Sequence, residues 1–563
     1  MVGRLNAIMI NNGQALPPNK SWPWWMSGAL ALLIILIFTL LPMLAMVKEA
    51  GSIEWQRLFG DPYLRRVVTF SFKQATLSTA LSLLLALPMA LALAHKPRFV
   101  ARSLVVNLFS LSLVIPSIIA IYGIVAVFGR TGWFNALLSS LSLPTVSIYG
   151  LTGILIEHVF FNMPLATRIL LINLEGIPQE NWRIAKQMGM SPISVFRFIE
   201  WPAIKSQLPS VALLIFTLCF TSFAIVMTLG GGPRATSIEV AIYQALRFDF
   251  DINLAVALGA VQLGICLLIM VLSTLSKHNQ TLNFSAFSLS KTSAQLKHKQ
   301  ALMNSIWNGK RWNVLHYTII ALLTLYVLTP LLALILSALN TKLLAVITHP
   351  TTTDALINTV LVSLASATLA LCLAIALLHG VRHIRIRLNY EKAGQWLQLS
   401  GNVILVLPPL VLGTGLFLLL RPYADVFSIA LFLVIVINSL MALPFILRIL
   451  EGPVLLSANK HDKLLQSLGV EGFNRWKLID WPILRKSIGL SMAIATTLSA
   501  GDFTAIALFG SERVRTLPLL LYQRMGSYRL EEAAVTAGLL LTLCLLLFSI
   551  VQRLIGGRQH ANA

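Results

Sequence analysis

Runs of about twenty apolar residues recur along the whole 563-residue chain, and few folds can accept them. A helix of that length crosses the hydrocarbon core of a bilayer. In lipid each backbone amide must be satisfied within its own segment, so the runs read as helices. Hydropathy predicts about twelve spans, near 24–46, 68–94, 103–128, 146–172, 207–229, 253–276, 315–338, 356–379, 397–420, 425–448, 486–509 and 532–555. Only 11% of residues are charged, against roughly 25% in a soluble domain. The expected fold is all-α and polytopic. The first run is too long for the apolar core of a signal peptide and lacks a convincing cleavage site, so it is expected to remain as an anchor.

The formal net charge of +22 does not point to nucleic acid, because of where it sits. With the N-terminus inside, inner loops and tails, with the span ends that adjoin them, hold about 29 Lys and Arg and outer loops about 13, as the positive-inside rule requires. The loop 277–314 contributes Lys277, Lys291, Lys297, Lys299, Lys310 and Arg311 with no acid. Both termini are therefore expected in the cytoplasm. Cys219, Cys266, Cys372 and Cys544 fall within predicted spans, at spacings that suit neither zinc nor a disulfide framework. They read as small apolar fillers, and no metal site is expected.

The chain carries an internal repeat. "RIAKQMGMSPISVFRFIEWP" (183–202) has a twin in "KLLQSLGVEGFNRWKLIDWP" (463–482). Gly189 pairs with Gly469, Ile199 with Ile479, Glu200 with Asp480, Trp201 with Trp481 and Pro202 with Pro482. The register extends to Pro164 and Pro444, Arg168 and Arg448, Phe223 and Phe503, and Gly230 and Gly510; "VIP" at 114–116 matches "VLP" at 406–408. Such a repeat predicts two tandem six-helix halves, 1–276 and 315–563, joined by the basic linker 277–314. An even helix count gives both copies the same orientation, related by a pseudo-two-fold axis along the membrane normal.

The twin segments lie in loops 173–206 and 450–486, between the fourth and fifth predicted spans of each half. In the first copy Pro178 suits a first helical position, Gly189 a left-handed stop, and Ser191-Pro192 the cap and first turn of a second helix that Pro202 ends. In the second copy Ser457 or Asn459 would cap and Gly469 would stop. A basic inner loop needs no function beyond orientation, and it could lie on anionic lipid. Neither reading demands two copies with the same Gly-to-Pro spacing.

These segments resemble the cytoplasmic "EAA" loop of ABC importer permeases, Glu-Ala-Ala, three residues, Gly, nine residues, Ile-x-Leu-Pro. Ala185, Gly189, Ile199 and Pro202 match in the first copy, and Gly469, Ile479 and Pro482 in the second. Arg183 and Lys463 stand where that family has glutamate, and Trp201 and Trp481 replace leucine. The resemblance implies that both segments are coupling helices that dock on an ATPase, here with a differently charged groove. "LGGGPRATSIEVAIYQALRFDFD" (229–251), "GDFTAIALFG" (501–510) and "RTLPLLLYQRMGSYR" (515–529) extend it to the fused permeases of bacterial thiamine and thiamine pyrophosphate importers. Fused ferric-iron permeases share the architecture and are the alternative.

No G-x-x-x-x-G-K-[ST] loop occurs, so the chain itself is not expected to hydrolyse ATP or bind a cofactor. The resemblance implies two copies of a separate ATPase, which would hold ATP and Mg, a periplasmic binding protein, and residence in the bacterial inner membrane. Polar residues inside spans are costly, a charge at the helix centre by roughly 2.5–3.5 kcal/mol on insertion scales, which marks Asp502, Glu157, Lys73, Gln74, His158, Asn162, Gln262 and Asn358 for attention. Asp502 and Phe503 pair by repeat with Ser222 and Phe223 and form the candidate substrate path; an acid there suits a cationic ring, or it pins a helix. Glu157-His158 reads as interhelical packing. An ion-driven secondary transporter also has six-plus-six repeats, but "HKPRFVAR" lacks that superfamily's signature. No nucleophile–base constellation suggests a membrane enzyme, and no catalytic residue is expected.

Overall fold

The computed structural model describes residues 24–50, 60–97, 99–111, 115–275, 306–307, 309–388, 390–402, 404, 407–468, 470, 472–512 and 514–557. Among them the regular elements are all helical. The first half holds α1 (Trp24–Ala50), α2 (Pro62–His95), α3 (Arg102–Leu111), α4 (Ser117–Phe128), α5 (Trp133–Ser140), α6 (Leu151–Gly176), α7 (Gln179–Gln187), α8 (Pro192–Val195), α9 (Trp201–Phe220), α10 (Phe223–Leu229), α11 (Ile238–Arg247) and α12 (Ile252–Leu275). The second holds α13 (Lys310–Ala338), α14 (Leu343–Ile347), α15 (Pro350–Arg382), α16 (Glu391–Asn402), α17 (Pro409–Leu420), α18 (Ala430–Ser467), α19 (Gly472–Arg475), α20 (Trp481–Ala500), α21 (Thr504–Phe509), α22 (Leu517–Gly526) and α23 (Leu530–Gly556). Most of the linker 277–314 lies outside the described residues.

Eleven helices among the described residues are long and apolar enough to cross a bilayer, against about twelve expected. The difference is the run 397–420, which is split between α16 and α17 at Pro408-Pro409. Two adjacent prolines remove two amide donors and push the preceding backbone out of the helical region. Pro408 is extended, with φ −60° and ψ 137°. The run 103–128 breaks in the same way at Pro116, with φ −55° and ψ 138°.

The first helix of each half packs on the other half. α1 lies against α15 and α17, while α13 lies against α2 and α4. The approach is backbone-close and occurs twice. A Cβ on Gly415 would stand 2.7 Å from the carbonyl oxygen of Pro42 in α1, and one on Gly123 would stand 2.6 Å from that of Pro330 in α13. Only glycine admits such contact, and small residues are what let helices approach in lipid.

Polar side chains inside the bundle are largely tied to helix ends and carbonyls. Ser71 Oγ accepts the Ile238 amide at 2.9 Å, and Thr359 Oγ1 accepts that of Leu517 at 2.9 Å. The second membrane-spanning helix of each half, α2 or α15, thus satisfies a first-turn donor of α11 or α22, which would otherwise be orphaned. Gln74 donates to the Cys219 carbonyl, Asn162 to that of His158, Asn358 to that of Arg515, and Gln262 to Glu239.

Candidate functional site

The first twin segment begins one residue later than its sequence suggests, since Pro178 is extended and α7 starts at Gln179. Trp182 and Ala185 are fully buried, whereas Arg183 and Lys186 are exposed. Gly189, at φ +62°, ends the helix. The Met190 amide donates to the Ala185 carbonyl at 3.0 Å and the Gly189 amide to that of Lys186 at 3.2 Å, the paired bonds of a Schellman stop. In the second copy the Val470 amide donates to the Leu465 carbonyl at 3.0 Å, the repeat-equivalent bond. Gly469 itself and the Lys463 side chain lie outside the described residues.

Ser191 caps α8 by accepting the Ser194 amide, with Pro192 in the first turn. Pro202 does not end this helix. The chain continues through a π-helical turn, Phe196–Glu200, straight into α9. The second copy does the same through Trp476–Asp480 into α20. Widening the turn moves the carbonyl that a proline ring would strike and absorbs its missing donor. Upstream the two copies differ. Neither Ser457 nor Asn459 caps a helix, because α18 runs unbroken from Ala430 to Ser467.

The first elbow therefore presents a short helix, a turn and a continuous helical connection into the next span, and the second repeats the π-turn connection. Ile199 is half-buried, Ile479 is buried, and Trp201 lies against Phe196 as Trp481 lies against Trp476. Pro202 and Pro482 are exposed. The tip of the first elbow exposes Ile184, Met188, Ile193 and Phe198 beside Arg183, Lys186 and Arg197.

The four candidate path residues come together at the other end of the fifth spans. Both predicted spans break there, at Thr221-Ser222 between α9 and α10 and at Gly501–Phe503 between α20 and α21. The rings of Phe223 and Phe503 stack with centroids 5.6 Å apart and planes 15° apart. Tyr243 packs on Phe223 and Tyr522 on Phe503. The stack thus joins two residues that the repeat pairs, each with a tyrosine beside it.

Asp502 is half-buried at the second break. Its carboxylate accepts the amides of Thr504 at 3.3 Å and Ala505 at 3.0 Å, holding the first turn of α21. Ser222 is fixed too: its hydroxyl donates to the Cys219 carbonyl at 2.7 Å. It must then accept from His158 Nε2 at 2.8 Å, which leaves Nδ1 to accept from Ser78 at 2.7 Å. A Cβ on Gly501 would collide with Pro116, so the break between α20 and α21 is pressed against the start of α4.

Sequence reading paired Glu200 with Asp480 but gave neither a partner. Glu200 Oε1 lies 2.6 Å from His95 Nε2, both fully buried. Asp480 is reached by Arg382 at 3.2 Å and Arg475 at 3.3 Å, and both arginines also hold Asp462. Lys96, next to His95, reaches Asn313, and burial lowers its pKa from the usual lysine value. The signal available was an acid directly before Trp-Pro in both copies. Among the described residues no cluster of three His, Cys, Asp or Glu could hold a metal.

No protein-family model matches the chain. Full-length relatives do. The chain is 41% identical over 536 residues to the thiamine transport system permease protein ThiP of Escherichia coli (strain K12), covering 95% of this chain and 97% of the relative. It is 40% identical over 540 residues to ThiP of Brucella abortus (strain 2308), covering 95% and 96%. Against ThiP of Haemophilus influenzae (strain ATCC 51907 / DSM 11121 / KW20 / Rd) it is 38% identical over 531 residues, covering 93% and 95%. With that identity sustained from end to end, the chain belongs to the ThiP family of thiamine transport system permease proteins.

Proposed function

We propose that this chain is the membrane-spanning permease of an ABC importer that carries thiamine and its phosphates into the cytoplasm. The carrying observation is identity of about 40% to proteins named thiamine transport permeases over nearly the whole chain. Two copies of a separate ATPase, holding ATP and Mg, would seat the elbows 183–202 and 463–482, and a periplasmic binding protein would deliver cargo at the opposite end. The excess of Lys and Arg on the elbow side argues that this side is cytoplasmic in the inner membrane, with both termini there.

The geometry suits this work. Exposed apolar side chains ringed by Arg183, Lys186 and Arg197 favour a protein groove over water. Gly189 fixes the angle of the first elbow, and the π turn Phe196–Glu200, running directly into Trp201-Pro202, passes its displacement into α9 through continuous helix. Gly469, Ile479, Trp481 and Pro482 have the matching task in the second. At the centre, Phe223 and Phe503 form the constriction that must part for cargo to pass. Their ring faces and those of Tyr243 and Tyr522 can attract a cationic thiazolium ring, while Ser222 and Asp502 hold the helix breaks that position them. ATP-driven approach of the elbows and release of cargo from the binding protein would bias the same two-state element, which is what coupling requires.

The test is reconstitution of the chain with its ATPase and binding protein in proteoliposomes. Uptake of labelled thiamine that requires ATP and all three components is expected. Uptake by the permease alone, or uptake driven by an ion gradient without nucleotide, would overturn the reading.

A further inference from the structure

Each elbow carries one fully buried acid directly before Trp-Pro, and each acid meets a cationic or ionisable side chain at the end of the second helix of its own half. In the first half this is His95, the last residue of α2, whose Nε2 lies 2.6 Å from Glu200 Oε1. In the second it is Arg382, the last residue of α15, whose Nη1 spans both Asp480 oxygens at 3.3 and 3.2 Å. The chemistry differs while the placement repeats. The second helix then continues to Ser71 or Thr359, which hold the first turns of α11 and α22. Those helices carry Tyr243 and Tyr522, which rest on Phe223 and Phe503. An unbroken line of contacts thus runs from each elbow to the central ring stack.

We propose that Glu200 and Asp480 are positioning residues for transport, each joining its elbow to the second helix of its half so that the two move as one body and deliver elbow displacement to the Phe223–Phe503 constriction. A buried acid–base pair is a weak source of net stability, since apolar packing of equal volume does as well. Pulling it apart, however, strands a buried charge. It therefore resists separation under load, and a transmitting joint needs that property. The first joint has a further seat. Trp307, from the end of the linker, stacks on the His95 ring at 4.0 Å, and His316 Nε2 lies 3.2 Å from His95 Nδ1. The start of the second half is thereby clamped to the joint of the first.

This inference rests on the importer reading above, and two readouts keep the two separable. The first is ATP hydrolysed per thiamine imported by the full complex in proteoliposomes, for wild type, Glu200→Gln and Asp480→Asn. Each variant keeps its side-chain volume, and the ratio is expected to rise about tenfold. The second needs no cargo. Spin labels at Lys205→Cys and Leu77→Cys, in a Cys372→Ser background, report the distance between α9 and α2 in the same complex. That distance is expected to be the same with and without nucleotide in the otherwise wild-type chain, and to change with nucleotide once Glu200→Gln is added. Should an acid variant fail to assemble, His95→Leu breaks the first joint from its other side and is read in the same two ways. A wild-type ratio in the assembled variants, a nucleotide-dependent distance with the joint intact, or failure of all three variants to assemble would each overturn the proposal, the last by reducing the joints to structural cement. A wild-type complex that imports no thiamine counts against the importer reading alone, because the label distance is measured without it.

Discussion

The stacked rings of Phe223 and Phe503, 5.6 Å apart, join residues that occupy the same place in two copies of one repeat. Each ring is buried and backed by a tyrosine of its own half. The stack therefore belongs to both halves equally, and separating them breaks it. Such a pair contributes about 0.5–1.5 kcal/mol beyond its buried area. Phe223→Ala or Phe503→Ala is expected to raise passive thiamine leak through nucleotide-free proteoliposomes by about two- to tenfold, the same energy expressed as a ratio. Leak at the wild-type level in both variants would remove the pair from the pathway.

Gly189 sits at φ +62° and its amide is hydrogen-bonded. Proline would demand φ near −65° and delete that donor. Gly189→Pro is expected to abolish co-purification of the ATPase while membrane insertion, judged by yield and gel-filtration profile, stays normal. An intact complex with this variant would show that the elbow angle does not matter for docking.

Asp502 separates two roles cleanly. Because its carboxylate accepts two first-turn amides of α21, Asp502→Asn keeps an acceptor oxygen and Asp502→Ala keeps none. Loss of such a cap costs about 1 kcal/mol. Thiamine uptake is expected to stay close to wild type in the Asn variant and to fall in the Ala variant. Equal loss in both would instead mark the negative charge as a contact for the cargo's cation.

Ser71 and Thr359 make the same bond in the two halves, each at 2.9 Å to a first-turn amide. Ser71→Ala and Thr359→Val should each lower stability by about 1 kcal/mol. The sites share no partner, so the double variant should show the sum. Thermal unfolding in detergent measures this, and a double variant no worse than either single one would show that the two caps are coupled.

What the sequence made legible was whatever depends on local length and on Gly and Pro punctuation. The presence of many spanning helices, the repeat, the stop at Gly189 and the cap at Ser191 belong here. Pro202 misled, because a proline normally closes a helix and nothing local announces that Phe196–Glu200 widens into a π turn to carry it through. The split at Pro408-Pro409 was hidden by flanks apolar enough to read as one span. Glu200 was visible as a repeated acid, but His95 lies 105 residues away and its approach depends on how α2 packs. The meeting of Phe223 with Phe503 was suggested by their pairing in the repeat, yet contact required the helix breaks beside them.

The exchange of first helices has a consequence for biogenesis. As the chain is threaded into the bilayer from its N-terminus, α1 arrives before the surfaces that will receive Gly28 and Pro42, which lie at Gly380 and Gly415. Before α15 and α17 have been synthesised, its own half offers it α12 as a partner. α13 faces the opposite situation, since the groove beside Gly123 has already been made when it emerges. Assembly is thus lopsided in time although the finished bundle is balanced in space, and the opening helix takes its full seat only after most of the chain has been made.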